Sequence, residues 1–275
     1  MKILISADIE GISGISNKGQ VVKDSVRYEL TCELYIKEVN AAIKACFDAG
    51  ADEVIMVDGH GSGSNFFPHL LDRRVKLVQG THRKYFMMDC INQGVDYCVL
   101  IGYHGMSNKL NSIMGHTNSS KTMPTVKVNG REAGEILMNI LLAKHFDSKV
   151  IFLSGTDKAI EEVNDLKLGI FTVCTKESLS TQSGILKSGE AVRDEIYIGV
   201  KKAINKVNKV RMIKTKKEFC FEVSYPFTYQ IQLLDAIPGV KIINDTTVSF
   251  TFDSYEKAHR LYRHIGKFVS SLLPY

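Results

Sequence analysis

Three short aliphatic runs each end on an acid or a histidine that a glycine follows at once. They are Ile3-Leu4-Ile5-Ser6-Ala7-Asp8-Ile9-Glu10-Gly11, Val54-Ile55-Met56-Val57-Asp58-Gly59-His60-Gly61 and Val99-Leu100-Ile101-Gly102-Tyr103-His104-Gly105. Segments this apolar suit strands buried on both faces, the condition of a parallel sheet covered by helices. In open α/β sheets the carboxyl ends of the strands converge on one crevice, where ligands bind. The pattern therefore predicts that Asp8, Glu10, His60 and His104 meet at one rim. Two carboxylates and two imidazoles at one point suit zinc or a similar divalent ion. The neighbouring glycines let the backbone turn sharply and come close to such an ion.

The rest of the pattern predicts a three-layer α/β domain over residues 1–211, a mostly parallel sheet flanked by helices, and a small α+β subdomain over 212–275. After the Gly/Ser-rich stretch 11–19, a helix should run to about Ala49 with Tyr35, Val39, Ala42, Ile43, Cys46 and Phe47 inward, and Gly50 should end it. Residues Glu132 to Phe146 are apolar nearly all round and should form a buried helix with Glu135 in its first turn. A short strand is expected near Phe171-Thr172-Val173, with Lys176 beyond it in solvent. Past residue 211 the segments Phe219–Val223 and Val248–Phe252 alternate with period two, as half-exposed antiparallel strands do. The last helix should open on a capping box of Asp253 and Glu256 and run to about Leu272.

Several function classes drop out. The net charge of +5 comes largely from residues 209–217, which lack aromatic interleaving and read as a solvated linker, so no nucleic-acid partner is expected. No stretch approaches the ~20 apolar residues of a membrane span, and the opening run is broken at Asp8, unlike a secretory signal. The six cysteines show no C-x-x-C pair and sit mostly in apolar patterns, which fits a reducing, cytoplasmic compartment. Gly61-Ser62-Gly63-Ser64 lacks the Lys-Ser/Thr of a P-loop, and no serine has a G-x-S-x-G setting.

Five elements in order, Asp8-Ile9-Glu10-Gly11-Ile12-Ser13-Gly14, Asp58-Gly59-His60, Gly102-Tyr103-His104, Met114-Gly115-His116-Thr117 and Asn129-Gly130-Arg131-Glu132-Ala133-Gly134-Glu135, span much of the chain. Through them the sequence resembles the D-aminopeptidase family of dinuclear zinc peptidases. The resemblance implies two zinc ions per chain, bridged by Asp8, with Glu10, His60, His104 and Glu135 completing the ligand set. It implies that His116 is the catalytic histidine, a nucleophile by the family's assignment. It also implies release of an N-terminal residue, typically D-alanine, from short peptides inside a self-compartmentalising homodecamer. The chain departs from the pattern at Thr181-Gln182-Ser183, where an arginine close to the substrate pocket is expected.

With Asp8 bridging, five residues supply six metal bonds, and a shared hydroxide brings each ion to about four, the usual count for zinc. That hydroxide already fills the nucleophile's place, so the residues themselves suit His116 to general acid/base work or oxyanion donation, with direct attack as the alternative. Asp58, two residues before His60, reads as a partner orienting that imidazole and stays outside the ligand set. His69, His82, His145, His259 and His264 read as structural or surface residues. Two other readings compete: a two-metal amidase or phosphoesterase on a non-peptide substrate, and a non-catalytic, metal-stabilised assembly protein.

Overall fold

The computed structural model describes residues 1–119 and 122–271. In chain order its main elements begin with β1 (Lys2–Ala7), α1 (Tyr28–Asp48), β2 (Glu53–Asp58), β3 (Lys76–Val78) and β4 (Tyr97–Tyr103). The middle of the chain forms β5 (Thr125–Val128), β6 (Arg131–Glu132), α2 (Glu135–His145), β7 (Lys149–Thr156) and α3 (Asp157–Asp165). Then come β8 (Phe171–Ser180), β9 (Ser183–Leu186) and α4 (Gly189–Asn205). The chain closes with β10 (Phe219–Ser224), α5 (Thr228–Leu234), β11 (Lys241–Asn244), β12 (Thr247–Phe252) and α6 (Tyr255–Ser270).

The larger sheet has the order β3-β2-β1-β4-β7-β8-β9, parallel except for the β8–β9 hairpin. β1 lies between β2 and β4, with Ala7 opposite both Asp58 and Ile101. This register brings three strand ends together at one rim, as the apolar runs predicted. Helices α1 and α4 pack together against one side, and α2 and α3 pack together against β7 and β8. Ile3, Leu4, Ile5 and Val54, Met56, Val57 are wholly buried, each side chain stabilising the layer by about 1.5–3 kcal/mol.

Crowding explains two of the rim glycines. A Cβ on Gly11 would lie 2.0 Å from the Tyr103 carbonyl oxygen, and one on Gly102, at φ +73°, would lie 2.1 Å from that of Asp8. The glycines thus let one strand end approach another, which is what packs the rim tightly.

The smaller sheet, ordered β11-β12-β10-β5-β6, takes two strands from residues 125–132, far ahead of the subdomain expected from residue 212. Period-two patterning found β10 and β12, whereas β5 is too short to announce its sheet. Helix α6 packs on β10, β12 and α2, which joins the smaller sheet to the metal-rim domain.

Several boundaries differ from expectation. α1 starts at Tyr28, after a run of turns, and its expected inner residues are buried except for half-buried Phe47. Gly50 takes the left-handed conformation expected of it, at φ +90°. The cap of α6 is Ser254, whose hydroxyl accepts from the Lys257 N–H, and Glu256 instead accepts from Tyr85 and binds Lys84. The expected end near Leu272 lies outside the described residues. No helix among the described residues is long and apolar enough to cross a membrane.

Candidate metal centre

Asp8, the residue that follows β1, sits at the middle of the rim with one carboxylate oxygen turned to each side. Its Oδ1 lies 3.5 Å from His60 Nδ1, which is also 3.0 Å from Glu10 Oε2. Its Oδ2 lies 3.3 Å from His104 Nε2, which is 3.9 Å from Glu135 Oε2. Two groups of three donors therefore share Asp8: Glu10 and His60 on one side, His104 and Glu135 on the other. Glu135 reaches the rim from the first turn of the mostly apolar helix α2, whose residues 135–143 are all buried.

Backbone carbonyls orient the imidazoles. His104 Nδ1 lies 2.9 Å from the Gly105 oxygen, His60 Nε2 lies 2.9 Å from the Val21 oxygen, and His116 Nδ1 lies 2.8 Å from the Met114 oxygen. A carbonyl only accepts, so each of these nitrogens carries a proton and the other ring nitrogen is the one left to bind a cation. In His60 and His104 that second nitrogen faces the carboxylates, 3.0 Å from Glu10 in His60 and 3.3 Å from Asp8 in His104, and holds a proton there until a metal replaces it. His104 Nε2 is buried with no hydrogen-bond partner, a cost that a bound cation removes. The donor set of carboxylate oxygens and imidazole nitrogens fits zinc.

Electrostatics agrees with an acidic site built for a cation. Burial would lower the His104 imidazolium, yet the Asp8 carboxylate 3.3 Å away and the charge of Glu135 push it up to about 10. His60 is raised well above its ordinary value by Glu10 and Asp8 against the same burial effect. Burial alone would raise Glu10, and the His60 charge and hydrogen bond hold it far below the usual carboxylate range. The carboxylates therefore draw positive charge into a dry rim, as protons or as metal.

His116 stands apart from these two groups. Its ring stacks on His104 at 4.2 Å between centroids, and its Nε2 is 4.0 Å from Glu135 Oε1. That oxygen already accepts the Asn118 N–H at 2.6 Å. His104, His116 and Glu135 do form a possible ligand trio by distance alone, but His116 opens onto a cavity of about 500 Å³ that His104 does not line. Glu10, His60, Tyr28, Thr181 and Gln182 line the same cavity. The β8–β9 hairpin thus delivers the departure noted at Thr181-Gln182 to the cavity wall.

Two sequence expectations change. Asp58 accepts from the Asn65 N–H at 2.7 Å, the Asn65 side-chain amide at 2.8 Å and the His60 backbone N–H at 3.4 Å. It fixes the loop and not the His60 imidazole, whose orientation comes from Val21. Lys176 is not solvated. It is 1% exposed and its ammonium donates to the carbonyls of Glu10 at 2.7 Å and Ile15 at 2.8 Å. The β7–β8 register shifts between Gly155 and Thr156, and Thr175 and Lys176 are both buried in succession. Burial pushes Lys176 down to about 7 while Glu38 and Glu10 pull the other way. Glu38, itself raised by burial, accepts from the Ser13 N–H at 2.7 Å. One lysine and one glutamate thereby brace the loop that carries Asp8 and Glu10.

The sequence reading also missed Asn118, whose backbone N–H engages Glu135 and whose side-chain amide donates to the Tyr262 hydroxyl of α6 at 2.6 Å. His259, expected to be structural, is buried on α6 and lines a small cavity with Glu135 and Asn139. Burial and the nearby Arg263 charge push its imidazole down to about 3, so it is neutral.

Comparison with known proteins places the chain. The curated D-aminopeptidase of Bacillus subtilis (strain 168) is 23% identical over 251 residues, covering 90% of this chain and 89% of that protein. A solved structure, the Zn-dependent D-aminopeptidase DppA from Bacillus subtilis, described as a self-compartmentalizing protease, superposes with a TM-score of 0.94 over 100% of both chains at 22% identity. A family model described as D-aminopeptidase, peptidase family M55, matches residues 1–264. With that match running through every rim motif, the chain belongs to the D-aminopeptidase family.

Proposed function

We propose that the protein is a zinc-dependent aminopeptidase that releases the N-terminal residue, D-alanine in the typical case, from short peptides. The observation that carries the reading is the divided carboxylate of Asp8, one oxygen toward Glu10 and His60 and the other toward His104 and Glu135. These five residues would hold two zinc ions, whose Lewis acidity would activate water and polarise the scissile carbonyl. The chain's own residues do the rest. Glu10, at the cavity wall, contributes negative charge where the substrate's ammonium enters. His116, proton on Nδ1 and lone pair on Nε2, is placed to take a proton and pass it to the leaving amine, or to donate to the oxyanion. Val21 and Val22 give the cavity an apolar wall that limits water beside the reacting bond. The six free thiols support the cytoplasmic reading.

A free α-amine should be essential. Zinc-equilibrated protein should cleave D-alanyl dipeptides and leave their N-acetylated counterparts untouched. Equal rates on both would remove the aminopeptidase reading. The same panel, run with L-aminoacyl peptides, reads the stereochemical preference that Thr181 and Gln182 help to set.

A homo-oligomer, and specifically a decamer enclosing the active sites, is part of the same proposal. It is supported by the self-compartmentalizing description of the similar solved structure. Analytical ultracentrifugation should give a single large species near ten subunits, and an active stable monomer would rule it out.

A further inference from the structure

Beside the site cavity lies a second one of about 530 Å³, and the two share Gly61 and Ser62 as a common wall. Its lining includes Arg83, Lys84, Arg260, Arg263 and Lys267, with no carboxylate among the described residues that line it. Glu256 from outside the cavity partly neutralises Lys84, at 2.9 Å, and Arg260, at 4.0 Å. The two arginines nearest the metal rim form no direct ion pair among the described residues, and Asp58 and Asp89 act on Arg83, and Glu135 on Arg263, only at longer range. Arg83 donates to the carbonyls of Asp58 at 2.6 Å and Val78 at 3.4 Å, and its Nε is buried without a partner. Arg263 donates to the Asn118 side-chain oxygen, and among the described residues neither guanidinium meets a carboxylate.

Both guanidiniums crowd one ring. The Arg263 guanidinium carbon is 4.0 Å from the Phe86 ring centroid, and that of Arg83 is 5.6 Å from it. Phe86 holds this position at φ +51°, a conformation that costs a bulky residue on the order of 1–3 kcal/mol. A strained aromatic holding two unpaired cations together is an arrangement that an anionic ligand would relieve. The cavity is also wired to the metal rim, since Arg263 holds Asn118 and the Asn118 N–H holds Glu135.

We propose that this cavity receives the free C-terminal carboxylate of the peptide substrate while the amino end occupies the cavity at Glu10, His60 and His116. The inference rests on the aminopeptidase reading above and narrows its substrate class to short peptides with an unblocked C-terminus. It gives the enzyme a ruler. Each residue spans about 3.4 Å when extended, so only certain lengths reach both ends.

The test compares free-acid and C-terminally amidated D-alanyl di-, tri- and tetrapeptides on the zinc-loaded full chain. At one length or more the free acid should show a KM roughly ten- to a hundredfold below its amide. That ratio should shrink as ionic strength rises. In the double variant Arg83→Gln/Arg263→Gln the ratio should fall toward one, and in Arg260→Gln/Lys267→Gln, both exposed positions on α6, it should shrink part of the way. Equal KM for acid and amide at every length would overturn this inference and leave the aminopeptidase reading standing. Absence of turnover with either form would overturn both.

Discussion

Asp8→Ala should purify folded but unable to hold either zinc ion, and its turnover should fall by at least roughly 10³-fold, the effect of losing several kcal/mol of transition-state stabilisation. No other single ligand change should do as much, because Asp8 turns Oδ1 toward His60 and Oδ2 toward His104. Metal analysis after zinc equilibration should give about two ions for the parent and close to none for the variant. Thermal denaturation supplies an independent readout. A ligand at 100 times its Kd stabilises the folded state by about 2.7 kcal/mol, so zinc should raise the parent's Tm and leave that of Asp8→Ala in place. A variant that still binds two ions would refute the shared-carboxylate geometry.

His116→Ala should behave in the opposite way, keeping both ions and the zinc-dependent rise in Tm while kcat drops by roughly 10²–10⁴-fold. The expectation follows from its position: His116 lines the cavity beside Glu10 and His60, and the His104 ring stacked on it does not. The Glu135 oxygen closest to His116 is already taken by the Asn118 N–H. Loss of one ion in the variant would make His116 a ligand, and an unchanged kcat would make it a bystander. Together the two variants separate binding metal from moving protons within one small cluster.

What could be read in the sequence was whatever repeats over a few residues. The runs Ile3–Ala7, Val54–Val57 and Val99–Ile101 announced buried strands, and the polar residues that end them were the ones that meet at the rim. Glu135 and His116 were different. Their local settings, a helix's first turn and a polar loop, are ordinary, and only the motif order singled them out. Lys176 was misplaced because a register shift buries two successive residues, which no alternating pattern announces. The reach of α6 was equally hidden. Arg263 and Tyr262 meet Asn118 across 145 and 144 residues of sequence, through a sheet that recruits β5 from the middle of the chain.

The carbonyls of Val21, Gly105 and Met114 set the orientation of His60, His104 and His116, and a carbonyl is the same whatever side chain its residue bears. The aim of each imidazole is thus written in the path of the main chain and not in the letters beside it. Substitutions at Val21 or Met114 that leave that path in place would leave the ring nitrogens pointing where they point now. A catalytic centre held this way can drift widely in sequence and keep its geometry. For redesign, the cavity wall at Val21, Val22, Thr181 and Gln182 can therefore be rewritten for a new side chain while the donors behind it stay aligned.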